Sequence, residues 1–261
     1  MGLFEDAEKL INKQKNTYFD NPDIAFSFFT NENRTIKDYN GRQILELLQN
    51  SDDSGSKEII IELKPEENRL IIKDFGSGFS IGGIKSLLIP DRSPKKESQY
   101  IGNKGLGFRS ILNWVTQVEI RTKDISITFS ESIIIKEAKT LWGKNLASYQ
   151  KEMNLPNDKV PLPIMAIPRL SKIDNINGTE IILDYKAKYL TDIEKQLNNI
   201  EKHVLLFVNH LEKIKVNDKE FSCIKTEGKK KMKFKQVFFL PKNLKKNGQY
   251  IVIFLKNYQQ N

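Results

Sequence analysis

A carboxylate, an amide and a second carboxylate recur at intervals of four and three in "ELLQNSDDSG", residues 46–55, as Glu46, Asn50 and Asp53. Each residue of an α-helix advances by about 100°, so the three fall within roughly 60° of one another and line one stripe. Side chains of these types can take a proton from water and offer oxygen to a hard cation. A solvated helix face shows the same polarity, so the stripe alone does not separate chemistry from surface. Ile44, Leu45, Leu47 and Leu48 occupy the other side and are expected to face a core.

Two glycine clusters bear on that choice. In "IIKDFGSGF" a strand runs into Asp74, Gly76 and Gly78. Glycines there let the backbone turn sharply and let a ligand lie against it with no Cβ in the way. A hairpin turn is the plain alternative. A dinucleotide-binding turn built on Gly76, Gly78 and Gly82 is disfavoured, because the Asp74 carboxylate would sit close to a pyrophosphate and no αβ alternation follows. In "IGNKGLGFRSILNW" Gly102, Gly105 and Gly107 lead directly into an expected helix. Such a loop presents backbone N–H groups to an anion, the helix dipole adds to the attraction, and Lys104 supplies a cation. The sequence contains no G-x-x-x-x-G-K-[ST], which excludes a P-loop. Each cluster alone is weak, whereas all three elements in this order and at these separations are specific.

Together they resemble the GHKL ATPases, the superfamily of gyrase B, the ninety-kilodalton heat-shock chaperones, sensor histidine kinases and MutL. The family's Glu, Asn and Asp motif matches Glu46, Asn50 and Asp53; its D-x-G-x-G matches Asp74, Gly76 and Gly78; its G-x-x-G-x-G matches Gly102, Gly105 and Gly107. A late Gly-Thr before a strand matches Gly178 and Thr179. Within the superfamily "GNKGLGFRSI" is most similar to the sacsin and No Vein branch. The resemblance covers roughly residues 35–210. It implies an α+β fold of the Bergerat type, a two-layer α/β sandwich whose mixed, largely antiparallel sheet is covered by helices. It also implies ATP with one Mg²⁺. Asn50 would be the protein's ligand to the metal, because Mg²⁺ usually keeps phosphates and waters and takes few protein oxygens. Glu46 would orient and deprotonate the attacking water, and its presence favours hydrolysis over binding alone. Asp74 would accept from the adenine amino group, with Thr179 supporting that contact, so ATP is expected over GTP. Lys104 and the backbone of Gly105, Leu106, Gly107 and Phe108 would meet the phosphates, and residues 80–101 correspond to the family's lid.

Three regions are expected around these motifs: an N-terminal helical segment over 1–34, an ATP-binding domain over 35–212, and a β-rich extension over 213–261, which the sequence leaves open as the start of a further domain. Helices are expected over 3–15, from Asn21 as N-cap, over 41–51, through "RSILNWV" and from a capping box at Thr191 and Glu194 to about Leu211. "KEIIIEL" and "RLIIKDF" read as a hairpin; "QVEIRTK", "ISITFS", "SIIIKEA" and "GTEIILDY" read as further strands, and residues 143–178, with four prolines, as a long connection.

Composition bounds the rest. At 261 residues and 39% hydrophobic the chain can bury one good core. No apolar run approaches the ~20 residues of a membrane span, the N-terminus does not read as a signal peptide, and a single cysteine, Cys223, suits a reducing compartment; a cytoplasmic protein is expected. The net charge of +9 admits polyanionic partners, and "KKKMKFK", residues 229–235, is the densest basic run. Nucleic acid or an acidic protein is the partner such a run would take, against the plain reading of a strand with one solvated face. The functions weighed are an ATP-driven conformational switch acting alone, as a homodimer or in a larger assembly; a nucleotide-sensing module in a nucleic-acid transaction or bacterial antiphage defence; and a protein chaperone.

Overall fold

The computed structural model describes residues 2–38, 41–89, 107–227, 235–239 and 251–253. Lys104, Gly105 and Leu106, Gly102, most of the region expected as a lid, and the basic run 229–235 apart from the backbone of Lys235 lie outside the described residues.

Two long helices, α1 (Leu3–Asp20) and α2 (Pro22–Asp38), come first, and Pro22 opens α2 where its missing N–H costs nothing. Then follow α3 (Gln43–Asp53), β1 (Glu58–Lys64), β2 (Arg69–Asp74) and α4 (Ile81–Leu88). After a 3₁₀ stretch over Gly107–Asn113 the chain forms β3 (Val115–Ser130), α5 (Glu131–Trp142), α6 (Leu146–Glu152), β4 (Arg169–Tyr185) and α7 (Leu190–Asn198). It ends with β5 (Lys213–Val216), β6 (Lys219–Glu227), β7 (Lys235–Phe239) and β8 (Ile251–Ile253).

The strands lie in the order β3-β4-β2-β1-β5-β6-β7-β8. All neighbours are antiparallel except β1 and β5, which run parallel, so the sheet is mixed. Strands β1 and β2 form the expected hairpin, turning through Asn68 in the left-handed region. The strands expected beyond 213 continue this sheet past β1. Alternation fixes its two faces. Ile59, Ile61, Leu70, Ile72, Ile181 and Leu183 are buried under the helices, whereas the opposite face carries the ion pairs Arg69–Asp184 at 2.8 Å and Lys73–Glu180 at 3.2 Å. The result is the two-layer α+β sandwich.

Four local expectations are corrected. "SIIIKEA" is helical: the Ser130 hydroxyl caps α5 by accepting from Ile133 N at 3.2 Å, and Ile134, Ala138 and Trp142 recur at helical spacing on its buried side. Burial at a period of four overrides the strand preference of three successive isoleucines. The stretch 143–178 holds α6 and the first half of β4. "RSILNWV" forms 3₁₀ turns and the start of β3. The late helix begins after Tyr189 with no side-chain cap and ends at Asn198, well before Leu211, so the Thr191–Glu194 capping box is not used. Beyond it the backbone N–H groups of Asn209, His210 and Leu211 all donate to the buried Asp52 carboxylate, at 2.8, 2.6 and 2.9 Å, a set of bonds that a continuing helix would not leave free.

Candidate functional site

The alternation that buries Leu70 and Ile72 carries Asp74 to the same face, and the alternation of Ile181 and Leu183 does the same for Thr179. The register pairs Asp74 directly with Thr179 across β2 and β4. Both are buried, at the floor of a cavity of about 270 Å³. Asn50 and Ser51 of α3 and Ser54 just past its end form one wall, Ser77, Gly78, Phe79 and Ser80 another, and Leu47, Leu87, Phe108 and Ile181 supply apolar surface. An apolar hollow with a few converging polar groups is the usual form of a small-molecule site.

Glycine is required where these segments touch. Gly178 has φ +81°, and a methyl on it would lie 2.0 Å from the Asp74 carbonyl oxygen. The β2–β4 contact therefore closes only without a side chain there. On Gly76 the methyl would lie 1.9 Å from Ser54 Oγ and 2.7 Å from its carbonyl oxygen. Gly76 N donates to Asp74 Oδ1 at 2.9 Å, and Ser54 Oγ donates to the same oxygen at 3.3 Å. These bonds orient the carboxylate within the cavity.

Glu46 stands one turn before Asn50 on α3. A methyl on Gly107 would lie 1.8 Å from Glu46 Oε2, so the carboxylate rests against the backbone immediately before Phe108. Burial raises the pKa of Glu46, and the Arg42 charge offsets this only in part. The raised value makes Glu46 a stronger base than a solvated carboxylate.

Asn50, Asp74, Gly78, Phe108 and Thr179 line the cavity; Gly76, Glu46 and Gly107 adjoin it. Asp53 is not brought there. It lines a separate hollow with Leu45, Leu48, Val204 and Phe207. Asn50 and Asp53 sit at opposite edges of the stripe, roughly 60° apart on the helix, and each edge faces a different space. Leu45, expected in the core, is 47% exposed beside that second hollow. Sequence reasoning missed Ser54, Thr122 and Lys123. Ser54 lies four residues after Asn50 and was within reach of the helical spacing. Thr122 is fully buried, its Oγ1 donating to Gly178 O at 3.1 Å and accepting from Phe79 N at 3.0 Å, and only the β3–β4 register reveals it.

Two buried charges hold the surroundings. Glu32 on α2 lies 3.5 Å from Arg109 Nε and accepts from Ile164 N at 2.6 Å and Met165 N at 3.3 Å. Arg109 in turn donates to the carbonyl of Leu87 at 2.5 Å. The pair thus ties α2 and the end of α4 to the segment that carries Gly107 and Phe108.

Residues 41–158 match the model of a family described as histidine kinase-, DNA gyrase B-, and HSP90-like ATPase. The match takes in α3, the Asp74 turn and Gly107, and stops before Thr179. No curated protein matches the chain. No helix among the described residues is long and apolar enough to cross a membrane.

Proposed function

We propose that this chain, which the model of the histidine kinase-, gyrase B- and HSP90-like (GHKL) ATPases matches over residues 41–158, binds ATP with Mg²⁺, hydrolyses it slowly and uses the cycle as a conformational switch. The observation that carries this reading is the pairing of Asp74 with Thr179 at the floor of a cavity whose wall holds Asn50. The floor suits an adenine. Asp74, acceptor-only and already oriented by Gly76 N and Ser54 Oγ, takes a hydrogen bond from the exocyclic amine and repels the oxygen that guanine carries there. Leu47, Phe79 and Leu87 give the base its apolar contacts.

The donor set also suits Mg²⁺. Asn50 offers one neutral oxygen, and a metal that completes its shell with phosphate and water needs no dedicated carboxylate cage. The metal, when bound, neutralises charge on the phosphates. Gly107 and Phe108 border the phosphates, Glu46 takes the proton of the attacking water, and Lys104, Gly105 and Leu106, which precede Gly107 in the sequence, are assigned to the same phosphates. Homodimerisation on ATP binding is the form in which such a switch would act.

The test is a thermal-shift series with ATP, ADP and GTP, with and without Mg²⁺, followed by turnover of wild type and Glu46→Ala. Stabilisation by adenine nucleotides alone, and turnover lost in the variant, is the expected result. Equal background rates in both proteins would remove the enzymatic claim.

A further inference from the structure

We infer that Lys123 is a nucleotide-binding residue at the base end of the cavity, its ammonium donating to an acceptor on the purine or ribose. This rests on the nucleotide reading above and adds a residue to it. Successive residues of a strand point to opposite faces, yet Thr122 and Lys123 both reach Gly78: a Cβ there would meet Thr122 Oγ1 at 2.6 Å and Lys123 Cε at 3.8 Å. The break in alternation has a visible cause. Lys123 adopts φ +52°, and the β3–β4 register shifts on both sides of it. Among the described residues the other non-glycine positions with positive φ are Asn68, Asn154 and Asn217. Asparagine tolerates that conformation by bonding locally, whereas lysine has no such compensation. Bulges that re-aim a side chain, and strained backbone kept at a cavity, are features associated with function. Here the re-aimed side chain lines the cavity and lies against Gly78, and the residue before it, Thr122, pairs with Thr179, which in turn pairs with Asp74. A long side chain carrying three donors beside a floor that already supplies an acceptor complements a heterocycle with both amine and ring-nitrogen groups.

The experiment is calorimetric titration of the full chain and of Lys123→Met, Lys123→Arg and Lys123→Gly with ADP, together with competition by adenosine and melting of each apo protein. Lys123→Met is expected to weaken both ADP and adenosine by about tenfold to a hundredfold, the range of a hydrogen bond to a charged donor, with Lys123→Arg within about threefold of wild type on the same scale. Lys123→Gly is expected to lose the same affinity while melting higher than wild type, since glycine takes this backbone without strain. A purely structural lysine would move stability and affinity together. Wild-type affinity in Lys123→Met overturns the inference and leaves the nucleotide reading standing, and a loss confined to ADP reassigns the contact to phosphate and overturns it as stated. Absence of adenine-nucleotide binding by the wild type overturns both.

Discussion

Glu46 and Gly107 share one small space, and that contact separates stability from chemistry. Burial holds the Glu46 carboxyl above its ordinary value of 4.5. In the proposed role of base, Glu46 would lose its function as the pH falls through that raised value, earlier than a solvated carboxylate, and turnover measured against pH is expected to show this acidic limb. The linkage to stability has the opposite sign. Because the folded state binds the proton more tightly than the unfolded chain, the ionised group costs stability at neutral pH, and the cost disappears once the pH is below the unfolded value. Glu46→Gln is thus expected to melt no lower than wild type at neutral pH, to bind ATP normally, and to lose about 10²- to 10⁴-fold in turnover. Gly107→Ala makes a complementary case. The added methyl meets the far end of a flexible side chain, so the fold should lose less than about 1 kcal/mol while the displaced Glu46 costs at least about tenfold in kcat. Urea melts and steady-state rates on the same samples check the pair.

Between elements, the decisive contact is β4 against β2. Gly178→Ala would drive a methyl into the Asp74 carbonyl at a backbone angle that alanine resists, and no flexible atom can yield. A loss of about 2–4 kcal/mol in urea unfolding is expected, with nucleotide binding lost alongside because Asp74 moves. The Glu32–Arg109 pair joins α2 to the 3₁₀ stretch over Gly107–Asn113 in the same way. Both side chains are nearly inaccessible, at 3% and 1% exposure. Glu32→Gln leaves the guanidinium buried without its counter-charge and strains the bonds to Ile164 and Met165, so a destabilisation of about 3–5 kcal/mol is expected by chemical denaturation. Replacing both partners with methionine should recover a large part of that loss, since an apolar pair leaves no stranded charge.

The family match starts at Gly41, but the folded unit does not. Helices α1 and α2 supply Tyr18, Phe26 and Glu32 to the interior, where the Trp142 indole N–H donates to the Tyr18 carbonyl at 3.1 Å and Phe26 meets the rings of Trp142 and Tyr149 edge-on. A chain cut before Gly41 would strip Arg109 of Glu32 and expose the aromatic cluster. It is expected to lose cooperative unfolding, which circular dichroism against urea would register. ATP present at about 100 times its Kd is expected to stabilise the intact chain by about 2.7 kcal/mol, with GTP adding far less.

Much of this was readable from local spacing. Glu46 and Asn50 on one helix, Asp74 at the end of an alternating strand, and glycines where chain segments must touch are patterns set by near neighbours, because helix and strand periods are properties of the backbone itself. Even so, local spacing did not distinguish the two edges of the α3 stripe, and it took Ile133–Ile135 for a strand. Asp53 faces a different hollow, and α5 is a helix, because burial against distant partners determined both. The pairing of Asp74 with Thr179, the reach of Glu32 to Arg109 and the turning of Lys123 toward Gly78 depend on strand register and on contacts between segments tens of residues apart. Periodicity carries no information about which strand lies beside which, so these arrangements emerge only when the chain has folded.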